Sequence, residues 1–201
     1  MRLGKELLNK PIYTIDEGRM IGKVQDLFID DSLEVVLGVF LGSQGLVRRK
    51  SQLIRSGDIV IYGVDAVLVA NGGVITDDSA LPAAKEWLRR EKLIGREADT
   101  PGGTRLGVLG DVTVDATGRI TGFAMSRVYV EGPLSEKRFV ARSVVLDTGS
   151  QDGRMTVDLA RLEASLVNAE SVPAEVEAED VPAAGEPMII VEDKVAPDSE
   201  A

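Results

Sequence analysis

The chain has 201 residues, a net charge of −10 and 44% hydrophobic residues, few of them aromatic. This length fits one or two domains with aliphatic cores. Cysteine and histidine are both absent, which excludes disulfides, thiolate metal sites and histidine-based acid–base catalysis. No apolar run approaches the roughly 20 residues that span a bilayer, and the first residues lack the apolar stretch of a signal peptide. We therefore expect a cytoplasmic protein.

The charge is unevenly distributed along the chain. Residues 1–162 contain 22 basic and 22 acidic side chains, whereas residues 163–201 contain 11 acidic side chains and only Lys194. Much of the second segment alternates Ala, Glu, Val and Pro, a composition typical of disorder. We expect residues 163–201 to form an acidic, mostly disordered tail. Its β-prone run at 188–191 is either a solvated segment or a motif that adds a strand to a sheet edge.

The first 77 residues predict a small β-domain. Short apolar runs between Gly- and Asp-containing turns predict about six strands, among them a hairpin of strand 22–30 and return strand 35–41. Evenly spaced short strands with glycine turns indicate a small barrel or a strongly coiled sheet. Residues 78–92 follow as a connection. Pro82 suits the first turn of a helix and the next residues are good helix formers, so a short connecting helix is predicted here.

One stretch of the first domain recurs 85 residues later. Residues 22–30 read GKVQDLFID and residues 107–115 read GVLGDVTVD. The two copies share a glycine and two aspartates at the same offsets: Gly22, Asp26 and Asp30, and Gly107, Asp111 and Asp115. Two copies of one unusual pattern predict a second small β-domain, which we place at residues 93–162.

The apolar residues of this motif do not alternate as in a plain strand. In both copies they step by three and then by two, whereas strand side chains alternate with period two. A β-bulge near Asp26 and Asp111 accounts for the step. The bulge places Leu27 and Ile29 on the core face and Phe28 on the opposite face. A substitution of Phe28 is therefore expected to destabilise the protein less than one of Leu27.

The bulged strand and its glycine-containing return strand resemble the PRC-barrel family. The segment GVDAVLV at 63–69 is similar to the last strand of that family. The resemblance covers about residues 5–72 and, in a weaker form, about residues 91–162. The fold class that it implies is all-β: two small PRC-barrel-like β-barrels in tandem, joined by a short helix and followed by the disordered acidic tail.

The PRC-barrel family includes the cytoplasmic domain of the photosynthetic reaction-centre H subunit and the C-terminal domain of a ribosome-maturation factor. The resemblance therefore implies a barrel that contacts other proteins, not a catalyst. We expect a non-catalytic adaptor or assembly factor with a protein partner, no cofactor and no membrane span. Self-association through barrel edges is a further expectation. The chain lacks both the H subunit's membrane helix and the maturation factor's N-terminal barrel, so neither specific role carries over.

Seven basic side chains form the candidate interaction site. They are Arg48, Arg49, Lys50, Arg89, Arg90, Lys137 and Arg138. They are either solvated loop charges or a site for an anionic partner, which is ribosomal RNA, an acidic protein or the chain's own tail. An RNA- or ribosome-associated maturation module is accordingly the alternative function. The scarcity of nearby aromatic residues that stack on bases favours a protein partner.

The four motif aspartates also have two interpretations. As carboxylate pairs they could ligate a divalent cation or act as acid and base. At a bulge or turn, aspartate accepts backbone N–H groups and needs no further partner. Because one active site would not need duplication in both copies, the structural interpretation is favoured. We therefore expect no enzymatic activity and no metal site.

Overall fold

A computed structural model describes residues 1–44, 50–149 and 153–168. These residues belong to one compact unit, residues 1–171. The unit is mostly β, as predicted. Arg48, Arg49 and the predicted tail beyond residue 168, with its run at 188–191, lie outside the described residues.

Sixteen strands and two α-helices form the described part of the chain. The first eight strands are β1 (Arg2–Leu3), β2 (Pro11–Thr14), β3 (Met20–Lys23), β4 (Asp26–Ile29), β5 (Val36–Gln44), β6 (Lys50–Arg55), β7 (Ile59–Tyr62) and β8 (Val67–Val69). The next eight are β9 (Thr76–Asp77), β10 (Leu88–Arg89), β11 (Glu97–Asp99), β12 (Arg105–Val114), β13 (Ile120–Val128), β14 (Phe139–Ala141), β15 (Val145–Asp147) and β16 (Met155–Val157). The helices are α1 (Pro133–Lys137) and α2 (Leu159–Asn168). Short 3-10 turns lie at Gly4–Leu7, Ser56–Asp58, Gly72–Val74, Pro82–Lys85, Arg90–Lys92 and Arg142–Val144.

The strands form three sheets. One has the order β3-β2-β8-β7 and the second the order β10-β4-β5-β6-β9. The third has the order β14-β13-β12-β11-β16-β15, and β1 also pairs with β12. Neighbouring strands are antiparallel except in the parallel pairs β2·β8 and β11·β16. Strand β12 corresponds to β3 and β4 taken together, but it is unbroken. It therefore holds in one sheet the strands whose counterparts in the N-terminal part of the chain are divided between two sheets.

Local geometry repeats along the chain at the spacing of the sequence motif. We call residues 1–87 the first half and residues 88–168 the second half. The N–H of Asn9 donates to the carbonyl of Val24 (2.7 Å), and the N–H of Gly95 donates to that of Leu109 (2.9 Å). Asn9 and Gly95 both have positive φ angles, 62° and 91°, which asparagine and glycine adopt most readily. The two halves therefore share backbone conformation as well as strand order.

The two halves exchange their first strands. β1 of the first half pairs with β12, with Leu3 opposite Thr113, and β10 of the second half pairs with β4, with Arg89 opposite Phe28. Each motif strand is thus bordered by a strand from the other half. The halves are therefore joined by backbone pairing as well as by the peptide chain.

A second reciprocal contact lies at the hairpin turns. The N–H of Val36 donates to the carbonyl of Gly118 (2.8 Å), and the N–H of Ile120 donates to that of Glu34 (2.7 Å). Val35 and Arg119 form an antiparallel bridge between these bonds. Reciprocal contacts between equivalent residues indicate an approximate two-fold axis between the halves.

The core runs through both halves. Leu27, Ile29, Val112 and Val114 are each 0% exposed, which confirms the side of the motif strand that the sequence predicts to be buried. In the second half Gly110 is the extra residue in the pairing of β12 with β13, so the predicted bulge lies beside Asp111. In the first half a break between β3 and β4 takes its place.

The prediction of a connecting helix at residues 78–92 is wrong. This segment contains 3-10 turns at Pro82–Lys85 and Arg90–Lys92 with strand β10 between them. Leu88 lies opposite Ile29 on β4, and this long-range pairing overrides the helix propensity of the segment.

The same segment covers the outer face of β4. Phe28 lies on the face opposite Leu27, as predicted, but it is only 5% exposed. It packs in a separate apolar cluster with Phe40, Leu53 and Ala84. Its substitution is therefore expected to cost about as much stability as that of Leu27, contrary to the expectation from the sequence.

Helix α2 extends the packed body beyond residue 162. Leu162 is 0% exposed and Leu166 is 8% exposed, because residues four apart lie on the same helix face. Residues 163–168, assigned to the tail from composition, belong to this helix.

Two truncations test this boundary. A chain that ends at residue 171 keeps all of α2, and its melting temperature should stay within a few degrees of that of the full chain. A chain that ends at residue 162 loses Leu166 and more than half of the helix, and should lose at least about 2 kcal/mol of unfolding free energy in urea. Equal urea midpoints for the two truncations would show that α2 does not stabilise the body.

Candidate functional site

Four apolar side chains form a row across the outer face of the β3-β2-β8-β7 sheet. Met20 lies opposite Tyr13, Tyr13 opposite Leu68, and Leu68 opposite Ile61. Ile12, next to Tyr13, is buried, and successive strand residues point to opposite faces. These four side chains, which we call the apolar row, therefore point away from the core.

The apolar row is accessible to solvent. Met20 and Ile61, at its two ends, are 48% and 39% exposed, and Tyr13 and Leu68 between them are half-buried. Ile15 and Val60, adjacent along the chain to this region, are also exposed. Single exposed apolar residues are ordinary on protein surfaces, but contiguous ones are typical of contact sites.

The second half carries polar residues at the equivalent positions. Arg105 on β12 lies opposite Asp99, Asp99 opposite Thr156, and Thr156 opposite Asp147 on β15. These strands have the same order and directions as those of the apolar row. The same local strand arrangement therefore forms without apolar residues at these four positions, so the apolar row is not required for the strands to pair.

The motif aspartates Asp26 and Asp111 lie buried where the halves meet. The Nε–H of Arg90 donates to Asp111 Oδ1 at 2.7 Å, and Arg90 Nη1 lies 3.9 Å from Asp26 Oδ1. Asp26 and Asp111 are each 3% exposed and Arg90 is 7% exposed. One guanidinium thus bridges two buried carboxylates from opposite halves.

Backbone N–H groups also donate to these carboxylates, although Asp26 Oδ1 itself accepts no hydrogen bond. The N–H of Lys5 donates to Asp111 (2.9 Å) and that of Glu91 to Asp26 (3.4 Å). Each aspartate therefore accepts an N–H from the exchanged segment of the other half. Both aspartates therefore have a structural role at the contact between the two halves.

Arg89 forms the outer part of the same network. Its Nε–H donates to Asp26 Oδ2 at 2.9 Å, and its guanidinium carbon lies 3.9 Å from the ring centroid of Phe40 and 5.6 Å from that of Phe28. Cation–π contact and ion pairing together hold this side chain against β4 and β5. Arg89 and Arg90, both in the predicted basic site, therefore bind groups of the chain itself.

Asp30 and Asp115 accept backbone N–H groups in the hairpin turns, the contacts that their structural interpretation predicts. Asp30 Oδ1 accepts two of them at 2.8 and 2.7 Å. Asp115 Oδ1 accepts those of Thr117 and Arg119 at 2.8 and 2.9 Å. Partial burial raises the pKa of Asp115, but the hydrogen bonds from Thr117 and Arg119 hold it below its ordinary value.

The two motif glycines differ in how closely they are packed. A Cβ on Gly107 would lie 2.1 Å from the carbonyl oxygen of Arg127, so only glycine fits there. A Cβ on Gly22 would meet the side chain of Leu41 at 3.1 Å. Within the described residues, no group of three histidine, cysteine or acidic side chains could hold a metal ion.

The remaining predicted basic residues are placed by separate elements. Lys50 on β6 binds Asp77 on β9 at 3.2 Å. Lys137 is the last residue of α1, and Arg138 follows in a left-handed conformation with φ 51°. Arg48 and Arg49 lie outside the described residues.

Comparison with protein families identifies the domain that carries the apolar row. The sequence model described as PRC-barrel domain matches residues 1–80. Residues 1–80 form a PRC-barrel domain. The apolar row lies entirely within this PRC-barrel domain, whereas its polar counterpart lies outside the matched residues. Comparison with curated proteins gives no match, and no helix of the described residues is long and apolar enough to cross a membrane.

The apolar row of the PRC-barrel domain was not predicted from the sequence. Its four residues come from four strands, and only the pairing register brings them side by side. A signal was nevertheless present in the repeat, because Tyr13 and Leu68 align with Asp99 and Thr156. A position-by-position comparison of hydropathy between the two copies would have found the difference.

The ion pairs of Arg90 with Asp26 and Asp111 give a prediction about stability. Arg90→Met removes the cation and leaves Asp26 and Asp111 buried with less compensation, so the free energy of unfolding should fall by about 3–5 kcal/mol. Arg19→Met is the matched control, because Arg19 pairs with Glu17 in solvent, and it should change stability by less than about 1 kcal/mol. The measurement is urea unfolding at neutral pH. Similar losses in the two variants would contradict the role given to Arg90.

Proposed function

We propose that this chain is a non-catalytic protein–protein interaction module, an adaptor or assembly factor, that binds through the outer face of the β3-β2-β8-β7 sheet. One observation carries the proposal: the apolar row is partly accessible to solvent, with both of its ends exposed, at positions that are polar in the second half. Transfer of such side chains from water into a contact is favourable, by about 1.5–3 kcal/mol for each one fully buried. Four adjacent apolar side chains left in solvent bring the isolated chain no such gain.

We further propose that the second half is a second PRC-barrel-like unit, so that the chain is a tandem of two. The shared strand order β2-β8-β7 and β11-β16-β15 supports this assignment. The matching hydrogen bonds of Asn9 and Gly95 support it as well. In this tandem, the second unit fixes the orientation of the first and leaves the apolar row open.

The alternative function, an RNA- or ribosome-associated module, has weaker support. Arg89 and Arg90 bind Asp26 and Asp111 inside the protein, and Lys50 is paired with Asp77. Three of the seven predicted cations are thus partly or fully neutralised by the chain. The apolar row has no role in phosphate binding, which depends on exposed positive charge.

Replacing the apolar row by the polar residues of the second half tests whether the proposed face binds partners. The variant Met20→Arg, Tyr13→Asp, Leu68→Thr, Ile61→Asp gives the first half the polar residues of the second. We expect it to fold, because the second half folds with these residues, and to lose protein partners. The measurement is affinity capture from lysate of the source cells, followed by mass spectrometry, with immobilised full-length chain.

Leu146→Thr is the matched control for this fourfold variant. Leu146 is an exposed residue of the edge strand β15, 56% accessible, and lies outside the apolar row. Proteins retained by the wild-type chain and by Leu146→Thr, but not by the fourfold variant, support the proposal. The same protein set on all three chains would refute it. If the fourfold variant has a lower melting temperature than the wild type, Ile61→Asp alone replaces it.

A further inference from the structure

We propose that the apolar row binds the apolar row of a second copy of this chain, so that two PRC-barrel domains pack sheet against sheet around a two-fold axis. This inference rests on the proposed function, because it uses the same face, and it goes further by naming the partner. Sheets that pack face to face lie about 10 Å apart with interdigitated side chains. The outer face of the β3-β2-β8-β7 sheet has the form needed for such a contact.

The order of the apolar row is self-complementary. A two-fold axis parallel to the strands places β3 over β7 of the second copy, and β2 over β8. Met20 then faces Ile61 of the second copy, and Tyr13 faces Leu68 of the second copy. Every side chain of the row therefore meets an apolar side chain, as an isologous interface requires.

Charges at the edges of the sheet fit the same axis. Lys23 ends the edge strand β3, and Asp65 follows the opposite edge strand β7. Both lie at the same end of the sheet, since Lys23 is opposite Pro11 and Val67 is opposite Ile12. Both are exposed, and neither forms an ion pair within the described part of the chain.

Within one copy, Lys23 and Asp65 are separated by the width of the sheet. Four strands about 4.8 Å apart place the two edges about 14 Å from each other, too far for an ion pair. The axis that aligns the apolar rows places Lys23 beside Asp65 of the second copy, twice per dimer. Apolar and charged residues thus specify the same orientation.

The size of the face sets the expected affinity. Four strands of about four residues cover roughly 14 by 13 Å, less than the ~800 Å² per partner of a standard stable interface. A weak, reversible dimer with a dissociation constant no lower than the micromolar range is therefore expected. Adjacent exposed residues such as Ile15 and Val60 enlarge the contact.

Sedimentation velocity of the full chain tests the inference. Between about 1 and 200 µM, a range that brackets a micromolar dissociation constant, the wild-type mass should rise from 21.5 kDa towards twice that value. Ile61→Asp should raise the dissociation constant at least about tenfold, because it places a carboxylate in the apolar contact. Leu146→Asp, the same kind of change on the equivalent edge strand β15, should leave it unchanged.

Charge reversal tests the orientation of the two copies. Lys23→Asp and Asp65→Lys should each weaken the dimer about two- to fivefold, more strongly at low salt. The double variant should restore wild-type affinity, because the reversed charges again face each other across the interface. Residues with a purely local role would not show this rescue.

Three results would overturn the inference. They are a wild-type chain that stays monomeric over the whole range, a dimer that Ile61→Asp leaves intact, and a double charge variant without rescue. A monomeric wild type whose captured proteins are lost in the fourfold variant would refute self-association and leave the proposed function standing. A monomeric wild type with unchanged capture would refute both.

Discussion

The fold depends on one guanidinium that two carboxylates share. Arg90 lies between Asp26 and Asp111: it is hydrogen-bonded to Asp111 and adds a second positive charge near Asp26, which also pairs with Arg89. Gly4 makes room for it: a Cβ there would lie 2.9 Å from Arg90 Cδ and 2.8 Å from Val112 Cγ2. Gly4 and Arg90 begin the equivalent 3-10 turns of the two halves. The approximate two-fold axis is therefore broken at this point, where only one large side chain fits.

The sequence predicted what depends on local pattern. Periodicity identified Leu27 and Val112 as core residues, and turn chemistry explained Asp30 and Asp115 through N–H groups only a few residues away. What it missed depends on distant partners. The segment at 78–92 is extended in part because Leu88 pairs with Ile29, and the apolar row exists only through the register of four strands, two of them parallel. Neither relation leaves a periodic signal in one segment.

An internal repeat separates the residues that a fold requires from those that serve another purpose. Asp26 and Asp111 occupy the same buried position in both halves and make the same kinds of contact, which is expected of residues that the fold needs. Tyr13 and Asp99 occupy the same surface position and have opposite polarity. Both halves satisfy the same backbone pairing at that point, so solvent and partners are the remaining influences on the side chain. Each half thus serves as a reference for the other.

The exchange of first strands also constrains the order in which the chain can assemble. Leu3 pairs with Thr113, more than a hundred residues later, so the N-terminal strand has no partner until more than half of the chain has been synthesised. Until residues 88 and 89 emerge from the ribosome, β4 has an open edge that could pair with another nascent chain. Contacts so distant in sequence slow folding and make it depend on both halves together. The open edge of β4 is consequently closed only when about half of the chain has been made and β10 becomes available.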